Sequence, residues 1–174
     1  MVPLRVGRML ASPFAFLRGA AGLMAYDLAG RPVTGWSGQI CGDAHAANFG
    51  LYGASGGRIV IDLNDFDDTL VGPWEWDLKR LAVSLVLAGR VGGVGEDECR
   101  DAARAVARSY RRATERLSEL PFLEAWTATG DENEVSRAKA EVLLDEFSAA
   151  VAKAQRNTHA RLAASWTRQP SGED

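Results

Sequence analysis

The chain has 174 residues and a formal net charge of −3, with acidic and basic residues mixed along its length. The absence of a basic block argues against nucleic-acid binding, and two distant cysteines do not form a disulfide framework. The apolar run of residues 9–17 is broken by Pro13 and is shorter than the roughly 18 residues of a membrane span. We therefore expect a cytoplasmic protein with one domain, residues 1–166, and a polar tail, residues 167–174.

The first half of the sequence predicts one helix followed by short strands. Ser12 and Pro13 are a typical helix start, apolar residues recur at helical spacing as far as Leu28, and Gly30 indicates the end. An acidic loop, residues 62–69, follows the last strand. The three brief strands are predicted over residues 39–41, 48–52 and 58–61.

The second half of the sequence predicts helices. An apolar stripe from Leu78 to Ala88 marks the first one, and the glycines at 89, 92, 93 and 95 are expected to end it. Two further helices are predicted, over residues 96–117 and 134–164. These elements together predict an α+β fold that is mainly helical, with a small β-hairpin carrying the loops described next.

The loop of residues 41–48 reads Cys-Gly-Asp-Ala-His-Ala-Ala-Asn and carries the strongest chemical signal. Phosphoryl transfer needs a carboxylate to orient the attacking hydroxyl and oxygen ligands for Mg²⁺ on the phosphates. Asp43 and Asn48 supply both groups from one loop between short strands. Their alternative role is to cap turns, which both residue types favour.

A second acidic cluster, Asp62, Asp65 and Asp67, follows the strand at residues 58–61. A strand can deliver these carboxylates to the same cleft, where we expect at most two of them to contact a metal ion. The other interpretations are a solvated acidic loop or a Ca²⁺ loop. The EF-hand pattern fails, because the required glycine and glutamate are absent at the sixth and twelfth positions from Asp62.

Other side chains in this region have simpler expected roles. Cys41 and His45 are too poor a set for a structural zinc site, and Cys41 at a strand end is expected to be buried rather than nucleophilic. His45 is expected to stabilise the loop by hydrogen bonding. For the basic residues Arg18, Lys79 and Arg80 we expect surface or ion-pair roles rather than phosphate contacts.

Residues 41–48 resemble the catalytic loop of the aminoglycoside phosphotransferase and choline kinase group, His-Gly-Asp-x-His-x-x-Asn. Cys41 departs from that pattern, which has histidine at this position. The difference affects the packing of the loop more than the proton acceptor. The resemblance implies a protein-kinase-like C-terminal lobe that uses ATP and Mg²⁺. The resemblance implies that Asp43 and His45 are catalytic residues and that Asn48 is a ligand of the metal and nucleotide.

The resemblance extends to the metal-binding aspartate and the helix start that follow this loop in that group. The spacing to Asp77 favours Asp65 as the ligand for metal and nucleotide, with Asp62 as the alternative and Asp67 as a further candidate. Asp77 would then tie its helix to the catalytic loop.

A closer resemblance covers nearly the whole chain. Residues 12–19, 41–45, 62–68 and 72–82 resemble a bacterial family catalogued as domain of unknown function 2252. Similarity to that family implies longer chains in which a glycine-rich segment and a lysine follow the region seen here. The chain would then hold a partial catalytic lobe, completed by a missing lobe or a partner chain. The exposed apolar face of such a lobe would favour association.

Three functions follow as hypotheses. The first is a kinase-like phosphotransferase that transfers phosphate from ATP to a small-molecule hydroxyl, with neither nucleic acid nor membrane as a partner. The second is a non-catalytic binding or regulatory module that keeps the kinase-like lobe. The third and weakest is a metal-dependent phosphoesterase that uses the carboxylates at residues 62–67.

Overall fold

The computed structural model describes residues 2–53 and 59–128. It divides into two compact units, one formed by Met1–Phe49 and Leu63–Ala128, the other containing Gly50–Asp62. The helix predicted at residues 134–164 and the polar tail lie outside the described residues. Within these described ranges, every helix is too short or too polar to cross a lipid bilayer.

The fold is α+β and mainly helical, as predicted. Three short helices precede the strands and three helices follow them. The helices are α1 (Val2–Met9), α2 (Pro13–Gly19), α3 (Ala21–Ala29), α4 (Glu75–Val91), α5 (Glu96–Ser118) and α6 (Phe122–Thr127).

Two small sheets contain the strands. The strands are β1 (Ser37–Ile40), β2 (Phe49–Gly53), β3 (Ile59–Leu63) and β4 (Leu70–Pro73). The first unit holds an antiparallel pair, β1 with β4, in which Ile40 lies opposite Leu70. The strand β2 pairs with β3, so the predicted hairpin is present, and one 3₁₀ turn (Ala46–Asn48) precedes it.

The prediction of a single helix from Ser12 to Leu28 is wrong, because the helix is interrupted at Ala20, between α2 and α3. The start was correct: the Ser12 hydroxyl accepts the Ala15 N–H at 3.0 Å. Ala20 has φ −122° and ψ 36°, outside helical geometry. Just before it, a Cβ on Gly19 would lie 2.5 Å from Cγ of Met9, so α1 packs closely against the end of α2. Packing between helices therefore overrides the apolar periodicity.

The predicted end of this helix at the glycines of residues 89–95 is confirmed, because α4 ends at Val91 and Gly92 caps it, while Gly89 lies within the last turns. A Cβ at Gly89 would lie 2.7 Å from Sγ of Cys99, which is 1% exposed. The glycine therefore lets α4 and α5 approach each other. Strand β4 was not predicted, because its Gly72-Pro73 end has a turn-like composition.

The interior of the first unit is unusually polar. Few apolar residues of the described part are buried in it, among them Leu17, Ile40 and Cys41. Four buried polar residues lie at the loop that follows β1: His45, Asn48, Arg80 and Ser84. A fifth, Glu75, accepts the Thr34 N–H before that strand. Since buried polar groups cost free energy unless they are paired, their partners define the site.

Candidate active site

One face of α4 supports the loop that carries Asp43. The residues Asp77, Arg80 and Ser84 are spaced three and four positions apart, so they lie along the same side of the helix. Each contacts the loop at a successive point between residues 41 and 46. A helix thus fixes a segment that has almost no regular structure of its own.

Asp77 and Ser84, the first and last of these three residues, accept hydrogen bonds from backbone amides of the loop. Oδ2 of Asp77 accepts the Cys41 N–H at 2.7 Å, and its Oδ1 accepts the Gly42 N–H at 2.9 Å. The predicted role of Asp77, to tie its helix to the loop, is confirmed. Further along α4, Oγ of Ser84 accepts the Ala46 N–H at 2.9 Å and donates to the carbonyl of Leu81 at 2.7 Å.

Between these anchors, Arg80 forms an ion pair with Asp43. Nε of Arg80 donates to Oδ1 of Asp43 at 2.6 Å, and Nη2 contacts the same oxygen. Nη2 also donates to the Leu17 carbonyl at 2.7 Å, which ties α2 to the same network. Arg80 is 2% exposed, whereas the Asp43 side chain is 19% exposed. The ion-pair role predicted for Arg80 is confirmed, and it orients the carboxylate of Asp43.

His45 lies beside the same carboxylate. Its Nε2 is 3.5 Å from Oδ2 of Asp43, and its ring packs edge-on against Phe14 with the centroids 6.3 Å apart. Burial lowers the pKa of His45, and the charges of Arg18 and Arg80 lower it further against the opposing effect of Asp43. The imidazole is therefore neutral at pH 7. Its buried Nδ1 has no hydrogen-bond partner among the described residues.

Asn48 clamps the loop of Asp43 to the acidic loop. Its Oδ1 accepts the Asp65 N–H at 3.1 Å, while its Nδ2 donates to the carbonyls of Asp43 at 3.0 Å and Asp65 at 3.1 Å. A carboxamide oxygen has two lone pairs, so one remains for a further contact. Asn48 is buried, and its first role is to hold Asp65 next to Asp43.

Cys41 contributes to the same contact between the loops. Its thiol donates to the Asp65 carbonyl at 3.3 Å. Burial raises the pKa of the Cys41 thiol, and the charges of Asp77, Asp43 and Asp65 raise it further, so the sulfur stays protonated and poorly nucleophilic. The predicted buried role is therefore confirmed.

Gly42 brings the loops closest together. It has φ +81°, in the left-handed region that favours glycine, and a Cβ there would overlap the carbonyl oxygen of Asp68. Thr69 adds a second link, because its hydroxyl donates to the Ile40 carbonyl at 2.6 Å. These backbone contacts fix the acidic loop against the end of β1.

The three candidate metal ligands of the acidic cluster lie in different settings. Asp65 lines the same cleft as Asp43. The exposed Asp67 is next to it in the loop, and its N–H is accepted by Oδ1 of Asp65 at 3.1 Å. Asp62 is exposed, lies within β3 and belongs to the other compact unit. The structure thus brings together Asp43, Asn48 and Asp65.

An open cleft of about 1030 Å³ gives access to these residues. One wall consists of loop residues: Asp43, His45, Ala47, Asn48, Asn64 and Asp65. The other wall comes from α1 and α2 and includes Arg5, Arg8 and Arg18. The described residues contain no cluster of three or more His, Cys, Asp or Glu side chains that could hold a metal ion by itself.

Sequence reasoning predicted the roles of Asp77 and Arg80 but missed the role of Ser84 and the positions of Arg5 and Arg8 beside the cleft. The spacing of Asp77, Arg80 and Ser84 was a usable signal, since a polar stripe on a helix directly after a chemical motif can face that motif. The positions of Arg5 and Arg8 carried no comparable signal, because their approach to the cleft depends on how α1 packs.

The site is thus a cleft in a small α+β unit, with carboxylates on one wall and guanidinium groups on the other. The chain belongs to a bacterial family described as "Uncharacterized protein conserved in bacteria (DUF2252)", whose sequence profile matches residues 1–174. No curated protein and no solved structure matches the chain.

Proposed function

We propose that this chain is a kinase-like phosphotransferase module that transfers phosphate from ATP to a small-molecule hydroxyl. One observation carries the proposal: Asp43 and Asp65 line a single cleft, and Asn48 bonds to both of their loops. The cleft volume of about 1030 Å³ is sufficient for a nucleotide and a small acceptor.

Asp43 is the acceptor-orienting carboxylate in this proposal. Its Oδ1 is held by Arg80, which leaves Oδ2 for a hydroxyl in the cleft. A fixed carboxylate can align that hydroxyl with the phosphate and take its proton as the bond forms. The neutral His45 lies beside Oδ2, with its Nε2 3.5 Å from that oxygen.

The oxygen donors of the cleft suit Mg²⁺, which binds through one or two carboxylates and keeps several waters and phosphate oxygens. Asp65 would hold the ion through its carboxylate and Asn48 through the remaining lone pair of its carboxamide oxygen. Bound there, Mg²⁺ would neutralise charge on the phosphates. The chain's own contribution is to fix these donors, through the bonds of Asn48 to the Asp65 backbone.

The test combines ATP binding with turnover in the full chain. We expect Mg²⁺-dependent ATP binding by calorimetry, and ADP formation with a panel of aminoglycosides, choline and sugars as acceptors. Asp43→Asn should keep binding but reduce ADP formation by about 10² to 10⁴-fold, because the amide cannot accept the proton. The matched control is Asp101→Asn, an exposed residue of α5 that does not line the cleft, which should leave both readouts unchanged.

Equal ADP formation by Asp43→Asn and the unaltered chain would refute the assignment of Asp43. Mg²⁺-dependent hydrolysis of phosphate esters without ATP would instead favour a phosphoesterase.

A non-catalytic binding module is the second candidate, and one observation favours it. The carboxylate of Asp43 is already paired with Arg80, and the carboxamide of Asn48 is largely used in backbone hydrogen bonds. The same groups would then stabilise the loop rather than perform chemistry. ATP binding without any ADP formation across the acceptor panel is the result expected of this module.

A further inference from the structure

The two walls of the cleft differ in charge. The loop wall carries the carboxylates of Asp43 and Asp65, and the first of these is already neutralised by Arg80. The helical wall carries the guanidinium groups of Arg5, Arg8 and Arg18 (the arginine wall). Positive charge therefore exceeds unpaired negative charge among the described residues that line the cleft, which favours an anionic occupant.

The arginine wall is built from two helices that are joined to each other. Arg5 and Arg8 are three positions apart on α1 and share one face of it. Nη2 of Arg5 donates to the carbonyl of Gly19 at the end of α2, at 3.2 Å. Arg18 is next to Gly19 in the chain, and all three arginines line the same cleft.

Arg8 and Arg18 are exposed on the helical wall. Within residues 2–53 and 59–128, neither Arg8 nor Arg18 makes a side-chain hydrogen bond or an ion pair. The charge of Arg18 still acts on the site, since it contributes to the lowered pKa of His45. Guanidinium groups that line a cleft and lack an ion-pair partner among the described residues remain available to bind an anion.

We propose that the arginine wall binds the phosphate group of a small phosphorylated ligand, opposite Asp43 and Asp65. A guanidinium presents its donors as a planar fork that matches phosphate oxygens, and several forks suit a multiply charged group. This inference rests on the proposed function for the identity of the ligand, as phosphate donor or phosphorylated acceptor. Binding itself requires neither metal nor turnover.

The experiment is calorimetry in the absence of Mg²⁺, with two ligands: inorganic tripolyphosphate for the donor and glucose 6-phosphate for a phosphorylated acceptor. Replacing both Arg8 and Arg18 by alanine should weaken the binding of at least one ligand about tenfold or more. The matched control replaces Arg108 and Arg112, two exposed arginines of α5 that do not line the cleft, by alanine. It removes the same charge and should leave binding unchanged.

Equal weakening in both double variants, or no binding of either ligand to the unaltered chain, would overturn the proposal. Circular dichroism checks folding, and Arg5 is left in place because it bonds to Gly19. If the alanine pair does not fold, replacing Arg8 and Arg18 by lysine keeps the charge and removes the forks, and binding should again weaken. Arginine-dependent binding combined with unaltered ADP formation by Asp43→Asn would refute the catalytic proposal alone.

Discussion

Among the single residues of the site, Arg80 determines the position of the Asp43 carboxylate. It is almost fully buried, and all of its bonds end on residues of other segments: Asp43, Leu17 and Met24. A buried ion pair adds little net stability compared with apolar residues, but losing one partner leaves an uncompensated charge. The pair therefore makes the geometry of Asp43 sensitive to residue 80.

Replacing Arg80 by methionine should destabilise the chain by about 3 kcal/mol, because Asp43 loses its counter-charge in a largely buried site. Urea unfolding measures the change. The control is Arg104→Met, since Arg104 is exposed and pairs only with Asp101 among the described residues, and its loss should cost less than about 1 kcal/mol. A similar cost for both variants would contradict the buried role of Arg80.

His45 should make stability depend on pH. Burial lowers its folded-state pKa below the usual 6.5, so the unfolded chain binds a proton more readily than the folded one. The stabilisation is complete above pH 6.5 and should decline as pH falls from 6.5 toward the folded-state pKa. In His45→Gln, urea unfolding across this range should show a flatter pH dependence; parallel curves for the two proteins would count against it.

Helix α4 acts as a template at the scale of secondary-structure elements. Its polar stripe contacts residues 41, 42, 43 and 46 in turn, so the helical rise sets the spacing of the loop. The register of α4 along the loop therefore decides where the Asp43 carboxylate lies.

Replacing Asp77 by asparagine should destabilise the chain by about 1–3 kcal/mol, because an amide has one acceptor atom for the two N–H groups of Cys41 and Gly42. The matched control is Asp97→Asn in the first turn of α5, where the carboxylate is 94% exposed and bonds to Arg100. Urea midpoints compare the two. A larger effect from the α5 variant would show that helix-end charge matters more than the loop contacts.

Part of this arrangement was predictable from sequence. The composition of residues 41–48 and 62–68 indicated two loops that act together, and Asn48 does bond to Asp65. The break at Ala20 was not predictable, because it depends on the contact between Gly19 and Met9 of another helix. Local periodicity records burial along one element, whereas close approaches between elements leave no local pattern.

Many large apolar side chains are exposed on the surface of the described residues. Tyr26 is 81% exposed and Trp36 is 77% exposed, while the buried apolar residues of the first unit are few. Such a surface favours association with other apolar surfaces. The expectation from sequence that an exposed apolar face favours association stays a prediction.

Replacing both Tyr26 and Trp36 by serine should reduce self-association without loss of stability, because exposed side chains contribute little to folding free energy. Light scattering over a concentration series gives the apparent mass, and urea unfolding gives the stability. Replacing Tyr110, which stacks on Trp74 with centroids 5.0 Å apart, should by contrast lower stability. Unchanged scattering in the serine variant would place the associating surface elsewhere.

The side-chain contacts of the Asp43 loop have a consequence for hydrogen exchange. The amides of Cys41, Gly42, Ala46 and Asp65 lie outside the helices and strands, apart from the 3₁₀ turn, yet side chains of other segments accept them all. They can exchange with solvent deuterium only when α4 or the acidic loop separates from the loop. We expect them to exchange as slowly as the helical amides of α4, and much more slowly than the amide of Asp67, which is bonded at the surface. Opening of this site would then be a rare event in the folded protein, and its free-energy cost would be that of local unfolding.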